Sequence, residues 1–187
     1  INTFTTPLIF FALFRLKAIA CPLNTYLPSE ILAKKLDEMG TTFFLSPDEM
    51  NIPQIKQITL PFSKLSRPQT FSPSQDFLDK EAHATYLFTS GSQNAKITCL
   101  SLGNHYYNAL GSNAYFSLEK TDRWLLSLPL YHVAGIAILF RCFLKGATVV
   151  LQEKQHLDFE EIELKKVTHL SFIPTQLYRL LSQDNAT

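Results

Sequence analysis

Small hydroxylated residues surround one glycine between two β-prone runs of this sequence, and a lysine follows them. The first run is Thr85–Phe88 and the second is Ile97–Leu100. The residues between them that could bind a ligand are Thr89, Ser90, Gly91, Ser92, Gln93 and Lys96. Hydroxyl donors, a glycine that lets the backbone approach a ligand, and a compact positive charge suit a polyphosphate. The pattern predicts a strand, a phosphate-binding loop and a second strand.

An ordinary β-hairpin turn is the alternative, because Ser, Gly, Gln and Asn are common in turns. The loop is not a Walker A motif, which needs a glycine directly before Lys-Ser or Lys-Thr. Here Ala95 precedes Lys96 and Ile97 follows it. The G-x-G-x-x-G pattern of dinucleotide-binding folds is also absent from the sequence. From the residues alone, the phosphate loop and the plain turn both stay open.

A second candidate site follows the predicted strand Trp124–Leu128, where Pro129 interrupts the pattern just before a predicted helix. Tyr131 and His132 lie at this point. Ligands of open α/β sheets bind at the carboxyl ends of the strands, so His132 could orient a polar substrate group there. The alternative is that His132 only caps the helix.

Arg141 interrupts the apolar run Gly135–Leu144. Burial of an unpaired charge costs roughly several kcal/mol. We therefore expect Arg141 either to pair with an internal carboxylate or to receive an anionic ligand.

Several classes of function are disfavoured. The net charge of +1 supplies no basic surface for nucleic acid. The sequence has neither a G-x-S-x-G elbow nor a pair of carboxylates spaced for glycoside hydrolysis, so a hydrolase is disfavoured. The histidines have no ligand-like spacing, and Cys21, Cys99 and Cys142 are far apart, so we expect neither a metal site nor a disulfide. The cysteines are predicted to be small buried hydrophobes in a reducing compartment, the cytoplasm.

The apolar N-terminal run Pro7–Phe14 is too short to span a membrane, because Arg15 and Lys17 end it. Basic residues that follow the apolar run are also in the wrong order for a signal peptide. We expect a buried helix instead.

Apolar periodicity predicts an α/β fold, a layered and mostly parallel sheet with flanking helices. Helices are predicted at residues 7–19, 30–39, 104–116 and 133–144, after Asp158, and from Pro174 onward. Ser29 is expected to cap the second helix, and Gly40 and Gly146 are expected to end the second and fourth. On the last helix, Leu177, Leu180 and Leu181 are expected to be buried. Strands are predicted at 20–23, 42–45 (buried), 55–60, 84–89, 96–100, 124–128, 147–151 and 168–172. Residues 51–77 are predicted to form an irregular connection.

Taken together, three segments resemble the adenylate-forming, AMP-binding superfamily of acyl-CoA synthetases: Thr89–Lys96, Leu128–Gly135 and Thr168–Leu177. Ala12–Asn24 and Leu27–Gly40 also resemble early elements of that family. The likeness covers nearly the whole chain in the right order.

Within the superfamily, the chain resembles the o-succinylbenzoate–CoA ligases of menaquinone biosynthesis. Leu128–Gly135 with Arg141 downstream, and Pro174–Leu177, carry that likeness. The resemblance implies that Thr89, Ser90, Gly91, Ser92, Gln93 and Lys96 hold the ATP phosphates. It implies that His132 is a catalytic residue at the acyl and adenylate pocket and that Arg141 attracts a substrate carboxylate.

The implied reaction is acyl adenylation by Mg-ATP with release of pyrophosphate, followed by thioester formation with coenzyme A. ATP, Mg and coenzyme A are therefore the expected cofactors, and a small carboxylic acid is the expected substrate. The chain is expected to be part of the large N-terminal domain, 1–187, without a C-terminal domain. Such a part should not complete a turnover alone, and we expect it to self-associate as a homo-oligomer through an exposed apolar edge.

The loop departs from the family pattern. A glycine and a Pro-Lys pair are usual there, whereas this chain has Asn94 and Ala95-Lys96, and its loop is one residue shorter than the family pattern. Two other functions therefore stay open beside the o-succinylbenzoate ligase. One is a fatty- or aryl-acid–CoA ligase of the same superfamily, and the other is a non-catalytic nucleotide-binding remnant.

Overall fold

The computed structural model describes residues 4–24, 26–41, 43–46, 55–59, 79–89, 96–152 and 159–184. Its helices are α1 (Thr5–Arg15), α2 (Ser29–Glu38), α3 (Leu102–Phe116), α4 (Val133–Lys145), α5 (Phe159–Leu164) and α6 (Pro174–Asp184). Its strands are β1 (Phe43–Ser46), β2 (Lys56–Thr59), β3 (His83–Phe88), β4 (Ile97–Ser101), β5 (Arg123–Leu126) and β6 (Thr148–Leu151). The chain divides into two compact units, one of residues 23–76 and the other of residues 1–22 and 77–187.

The smaller unit contains α2 and a parallel pair of strands, β1 and β2. Leu32 and Leu36 form the buried side of α2, and Gly40 ends the helix with a φ of 60°. The predicted cap was wrong. Ser29 is already helical and Pro28 holds the N-cap position, where no side chain makes a capping hydrogen bond. A proline before the helix fixes an extended backbone at that position, so the helix begins without a side-chain cap.

The larger unit contains an antiparallel hairpin of β3 and β4 and a parallel pair of β5 and β6. The two faces of β5 are both covered. Trp124 and Leu126 belong to the main hydrophobic cluster with Ile136 of α4, whereas Leu125 packs with Val150 and Leu180 in a second cluster. Alternate side chains of a strand point to opposite faces, so helices cover both sides of this pair. The predicted layered α/β fold with parallel strands is confirmed.

Helix α1 ends earlier than predicted, at Arg15 rather than residue 19. Lys17 has a φ of 55°, and the Ala18 N–H donates to the Leu13 carbonyl at 2.9 Å, which closes the helix with a left-handed turn. The predicted strand at 20–23 is reduced to one bridge, between Ala20 and Thr85 of β3.

The predicted strand at 168–172 was wrong. One isolated bridge joins His169 to Trp124, and side chains then replace the backbone ladder. The indole N–H of Trp124 donates to the Ser171 hydroxyl at 3.1 Å, and the Ser127 hydroxyl donates to the Ser171 carbonyl at 2.6 Å. The segment therefore runs beside β5 without forming a regular strand.

Several burial predictions were also wrong. Strand β1 is partly exposed, with Phe43 57% accessible, and on α6 only Leu180 of the three predicted residues is buried. Cys142 is buried, which raises the pKa of its thiol to about 12, whereas Cys99 on β4 is exposed. Asp158 and most of residues 51–77 lie outside the described residues.

Among the described helices, none combines the length and hydropathy that a membrane crossing requires.

Candidate functional site

The β5–α4 junction, residues 127–135, is fixed by a close approach of two backbone segments. The His132 N–H donates to the Pro129 carbonyl at 3.2 Å, and the Gly135 N–H donates to the His132 carbonyl at 3.1 Å. A Cβ atom added at Gly135 would lie 2.3 Å from the Pro129 carbonyl oxygen and 2.8 Å from that of Leu128. Only glycine lets the turn lie this close to the first turn of α4. Gly135 therefore sets the position of the turn that carries His132.

His132 occupies the N-cap position of α4, but its side chain makes no capping hydrogen bond. Its ring is exposed and lies 4.7 Å, centroid to centroid, from the ring of Tyr131. Helix capping by the imidazole is therefore wrong, because the backbone alone forms the cap. Neither ring nitrogen bonds to a described residue, so both are available to a ligand at the carboxyl end of β5.

Polar groups outside the sequence prediction hold the carboxyl end of β5. The Ser127 hydroxyl donates to the Ser171 carbonyl, and the Gln176 side-chain amide donates to the Ser127 carbonyl at 3.1 Å. Their residue types alone do not predict a role at the site, since serine and glutamine are common throughout the chain. The only available signal was the predicted position of Ser127 at the end of a buried strand.

The hairpin base, Thr89 and Lys96, is closed by two hydrogen bonds. The Thr89 N–H donates to the Lys96 carbonyl at 3.0 Å, and the Lys96 N–H donates to the Thr89 hydroxyl oxygen at 3.1 Å. Both residues are exposed, and the Lys96 ammonium makes no ion pair with a described residue. Ser90, Gly91, Ser92 and Gln93 lie outside the described residues. The Thr89 hydroxyl keeps its proton free to donate, because it acts as an acceptor toward Lys96.

Arg141 lies against the indole of Trp124, with its guanidinium carbon 5.2 Å from the ring centroid. Its Nε is buried and has no hydrogen-bond partner among the described residues, and partial burial lowers the pKa of the guanidinium. The predicted alternative of an internal carboxylate partner was wrong for the described part of the chain. Nine residues separate Arg141 from His132, which places it about 13 Å farther along the axis of α4.

His105 on α3 contacts both β3 and α4. Its Nε2 lies 2.9 Å from the Thr85 hydroxyl, and its ring stacks on Phe140 at 4.9 Å. Burial lowers the pKa of His105 to about 4, because the charged ring would lose its hydration. His105 is therefore a neutral core residue at pH 7.

Another perturbed group lies away from both candidate segments. The Glu119 N–H donates to the Asp122 carboxylate at 2.8 Å, and this bond lowers the pKa of Asp122. Asp122 precedes β5, whereas the junction follows it. Within the described residues, no group of His, Cys, Asp and Glu side chains forms a metal site.

A shared core supports both candidate segments. Leu87 precedes Thr89 by two residues, Leu130 precedes His132 by two, and both leucines belong to the main hydrophobic cluster. Among the described residues, no hydrogen bond, ion pair or ring contact joins the hairpin base to His132 or Arg141. The structure thus anchors Thr89 and His132 on one core but brings neither Thr89 nor Lys96 into contact with His132 or Arg141.

Comparison with known proteins identifies the family. The profile described as "AMP-binding enzyme" matches residues 2–187. This chain belongs to the AMP-binding enzyme family. The predicted resemblance is confirmed, and Thr89–Lys96 and the β5–α4 junction are segments of an AMP-binding enzyme domain.

Relatives within the AMP-binding family are o-succinylbenzoate ligases. The 2-succinylbenzoate–CoA ligase of Escherichia coli (strain K12) is 32% identical over 182 residues, which are 96% of this chain and 38% of that protein. The o-succinylbenzoate coenzyme A synthetase of Bacillus subtilis has been solved with ATP and a magnesium ion. This chain aligns to that structure with a TM-score of 0.84 and 27% sequence identity. The alignment covers 97% of this chain and 39% of the synthetase chain.

The Bacillus subtilis synthetase has also been solved with the acyl-adenylate intermediate OSB-AMP. There the TM-score is 0.83 and the identity 26%, over 97% of this chain and 49% of the other. Across these comparisons, the chain spans between about 38% and 49% of the proteins it matches.

Proposed function

We propose that this chain is part of an AMP-forming acid–CoA ligase that activates o-succinylbenzoate. Its membership of the AMP-binding family carries the proposal, because the match extends over residues 2–187. The relatives named above are ligases of this acid, and one was solved with ATP and magnesium. The reaction has two steps. A carboxylate oxygen of the acid attacks the α-phosphorus of ATP and pyrophosphate leaves, and the coenzyme A thiol then attacks the acyl-adenylate so that AMP leaves.

The hairpin loop binds the polyphosphate in this proposal. Thr89 and Lys96 are exposed at its base, and neither the Thr89 hydroxyl proton nor the Lys96 ammonium bonds to a described residue. Ser90, Gly91, Ser92 and Gln93 would add hydroxyl, amide and backbone donors. Such donors stabilise the charge that develops as pyrophosphate leaves. Magnesium would enter with ATP and neutralise phosphate charge, since the described residues form no metal site of their own.

His132 orients the acyl group in this proposal. Its ring nitrogens make no hydrogen bond with a described residue, and the backbone of the β5–α4 junction fixes its position. An imidazole nitrogen there would hold the carboxylate or adenylate oxygen of the substrate in line for attack.

Arg141 attracts the second carboxylate of o-succinylbenzoate. The cation–π contact with Trp124 uses no N–H donor of the guanidinium, so the donors stay usable. Its Nε has no hydrogen-bond partner among the described residues, which favours an anionic ligand.

Calorimetry with Mg-ATP on the 187-residue chain tests the phosphate role. Lys96→Ala removes one charge-assisted contact, so we expect about 10-fold weaker binding or more. Lys34→Ala is the control, since Lys34 is an exposed lysine on α2, and its affinity should match the wild type. A wild-type chain that fails to bind Mg-ATP, or a Lys96→Ala chain that binds equally, would count against the proposal.

The acid specificity is tested with Arg141→Leu. In the presence of Mg-ATP, the variant should lose affinity for o-succinylbenzoate, a dicarboxylate, far more than for benzoate. Circular dichroism checks that the fold is retained. Equal losses for both acids would exclude a carboxylate-binding role for Arg141 and would favour a ligase for a fatty or aryl acid.

A further inference from the structure

The side-chain amide of Gln176 joins two segments that are 49 residues apart in the chain. Its Oε1 accepts from the N–H of Ile173, the residue before α6, at 3.1 Å. Its Nε2 donates to the Ser127 carbonyl, also at 3.1 Å. The donor and acceptor ends cannot be exchanged, because a flipped amide would place N–H against N–H and oxygen against oxygen. Gln176 therefore bonds both segments at once.

We propose that Gln176 is a positioning residue, which fixes the β5–α4 junction and with it His132 at the acyl pocket. The proposal rests on the proposed function, since it assigns Gln176 a role toward the acid that His132 would contact.

Among the described residues, the Ser127 carbonyl accepts no hydrogen bond other than the one from Gln176. The β5–β6 ladder ends at Leu126 and Leu151, one residue before Ser127. Ser127 is nevertheless buried, and a buried carbonyl without a hydrogen bond costs about 1–3 kcal/mol. Gln176 satisfies it, while the Ser127 hydroxyl bonds to Ser171. Two hydrogen bonds from the 171–176 segment thus hold the end of β5.

The chain from Ser127 to Gly135 has little freedom to absorb a shift. Leu128 and Leu130 are buried in the main cluster, and the Pro129 carbonyl lies against Gly135. A displacement of Ser127 would therefore be passed on to His132. Misplacement of a substrate-positioning group by ~1 Å is enough to weaken catalysis strongly.

Helix capping alone does not explain a glutamine at this position. A glutamate at the third helical position accepts a hydrogen bond from the N-cap N–H equally well. Among the described residues, the donor half of the amide bonds to Ser127 alone. A Gln176→Glu variant therefore keeps the bond to Ile173, loses the bond to Ser127, and places a carboxylate oxygen against a carbonyl oxygen.

Amide hydrogen exchange measured by NMR on the 187-residue chain tests the positioning. Loss of one hydrogen bond of about 1 kcal/mol should make the amides of His132 and Gly135 exchange about five-fold faster in Gln176→Glu. Gln176→Met, which has neither donor nor acceptor, should show the same effect. Ser182→Ala is the control, because it removes the hydroxyl bond to the Tyr178 carbonyl on the same helix and should leave these amides unchanged.

Ligand binding separates positioning from general destabilisation. In Gln176→Glu, affinity for o-succinylbenzoate should fall several-fold in the presence of Mg-ATP, while affinity for Mg-ATP itself stays unchanged. Unchanged exchange at His132, unchanged affinity for the acid, or an equal loss for both ligands would each overturn the positioning role. A wild-type chain that binds neither ligand would contradict the proposed function instead, and the exchange rates would still decide whether Gln176 fixes the junction.

Discussion

The β5–α4 junction and the hairpin base both contain predicted site residues, but different interactions hold the two regions in place. At the junction, Leu128 and Leu130 are buried, Gly135 lies against the Pro129 carbonyl, and Gln176 and Ser171 bond to Ser127. At the hairpin base, two hydrogen bonds between exposed residues close the loop. The first region depends on packing around a backbone turn, and the second depends on the side chains it presents.

This difference predicts how each region responds to substitution. Changes at the junction should affect stability first, because its geometry is held by the core. Changes at the hairpin base should affect ligand binding first, because exposed groups contribute little to folding.

The largest effect is expected from Gly135→Ala. The new methyl group would overlap the Pro129 carbonyl, and relief of that overlap requires a backbone shift. We expect the free energy of unfolding to fall by roughly 2–3 kcal/mol. Gly111→Ala is the matched control, since nothing lies within 4 Å of its Cβ position in α3. It should stabilise the chain by up to about 1 kcal/mol. Urea unfolding of both variants gives the comparison, and equal effects would show that Gly135 is not needed for close packing.

His105, which connects β3 with α4, should make stability depend on pH. Its pKa in the folded chain is about 4, below the ordinary 6.5. Between these two values the unfolded chain binds the proton and the folded chain does not. Stability is therefore complete above pH 6.5 and falls as the pH is lowered toward 4, by about 3 kcal/mol in total from this group.

Urea titrations between pH 7 and 4 measure this dependence in the wild type and in His105→Gln. Glutamine does not titrate, so the variant should be less stable at pH 7 but should lose less stability toward pH 4. Parallel curves for the two proteins would mean that His105 titrates normally.

A smaller effect is expected from Trp124→Phe. The phenyl ring keeps most of the apolar contact but cannot donate to the Ser171 hydroxyl. One neutral hydrogen bond contributes about 1 kcal/mol, so a loss of that size is expected in urea unfolding. Phe116→Leu changes another residue that packs on Trp124 without removing this bond. If only Trp124→Phe speeds amide exchange at residues 170–173, the indole N–H is what holds that segment.

The smallest effect on stability is expected from Thr89→Val at the hairpin base. It removes the acceptor for the Lys96 N–H, but both residues are exposed, so water replaces the bond and the cost should stay below about 1 kcal/mol. Mg-ATP affinity should fall by about 10-fold, and Thr89→Ser should restore it. A Thr89→Val chain that binds Mg-ATP normally would show that the hydroxyl is structural only.

The sequence predicted the elements of this chain better than their surroundings. Gly40 and Gly146 end helices α2 and α4 as expected, because each adopts a left-handed backbone that favours glycine. The exposed Phe43 and Leu181 were predicted to be buried, because apolar type alone does not determine which residues lie opposite. Burial depends on neighbours that are distant in sequence.

The site shows the same limit. His132 was predicted from its position after a strand and a proline, which is local information. Gln176 and Ser171 could not be predicted, because their role depends on contacts with Ser127 over more than 40 residues. Composition predicts a strand at 168–172, whereas the backbone hydrogen bonds to β5 stop at His169 and the Ser171 hydroxyl instead accepts from the Trp124 indole.

The most direct test of the account is an NMR titration of the 187-residue chain with Mg-ATP, followed by o-succinylbenzoate. The hairpin base and the β5–α4 junction should respond as one site. We expect the amides of Thr89 and Lys96 to shift with Mg-ATP, and those of His132 and Gly135 to shift further with the acid, which should bind more tightly once Mg-ATP is present. Shifts confined to one region, or acid binding that is indifferent to Mg-ATP, would contradict the claim that the two regions form one nucleotide and acyl site.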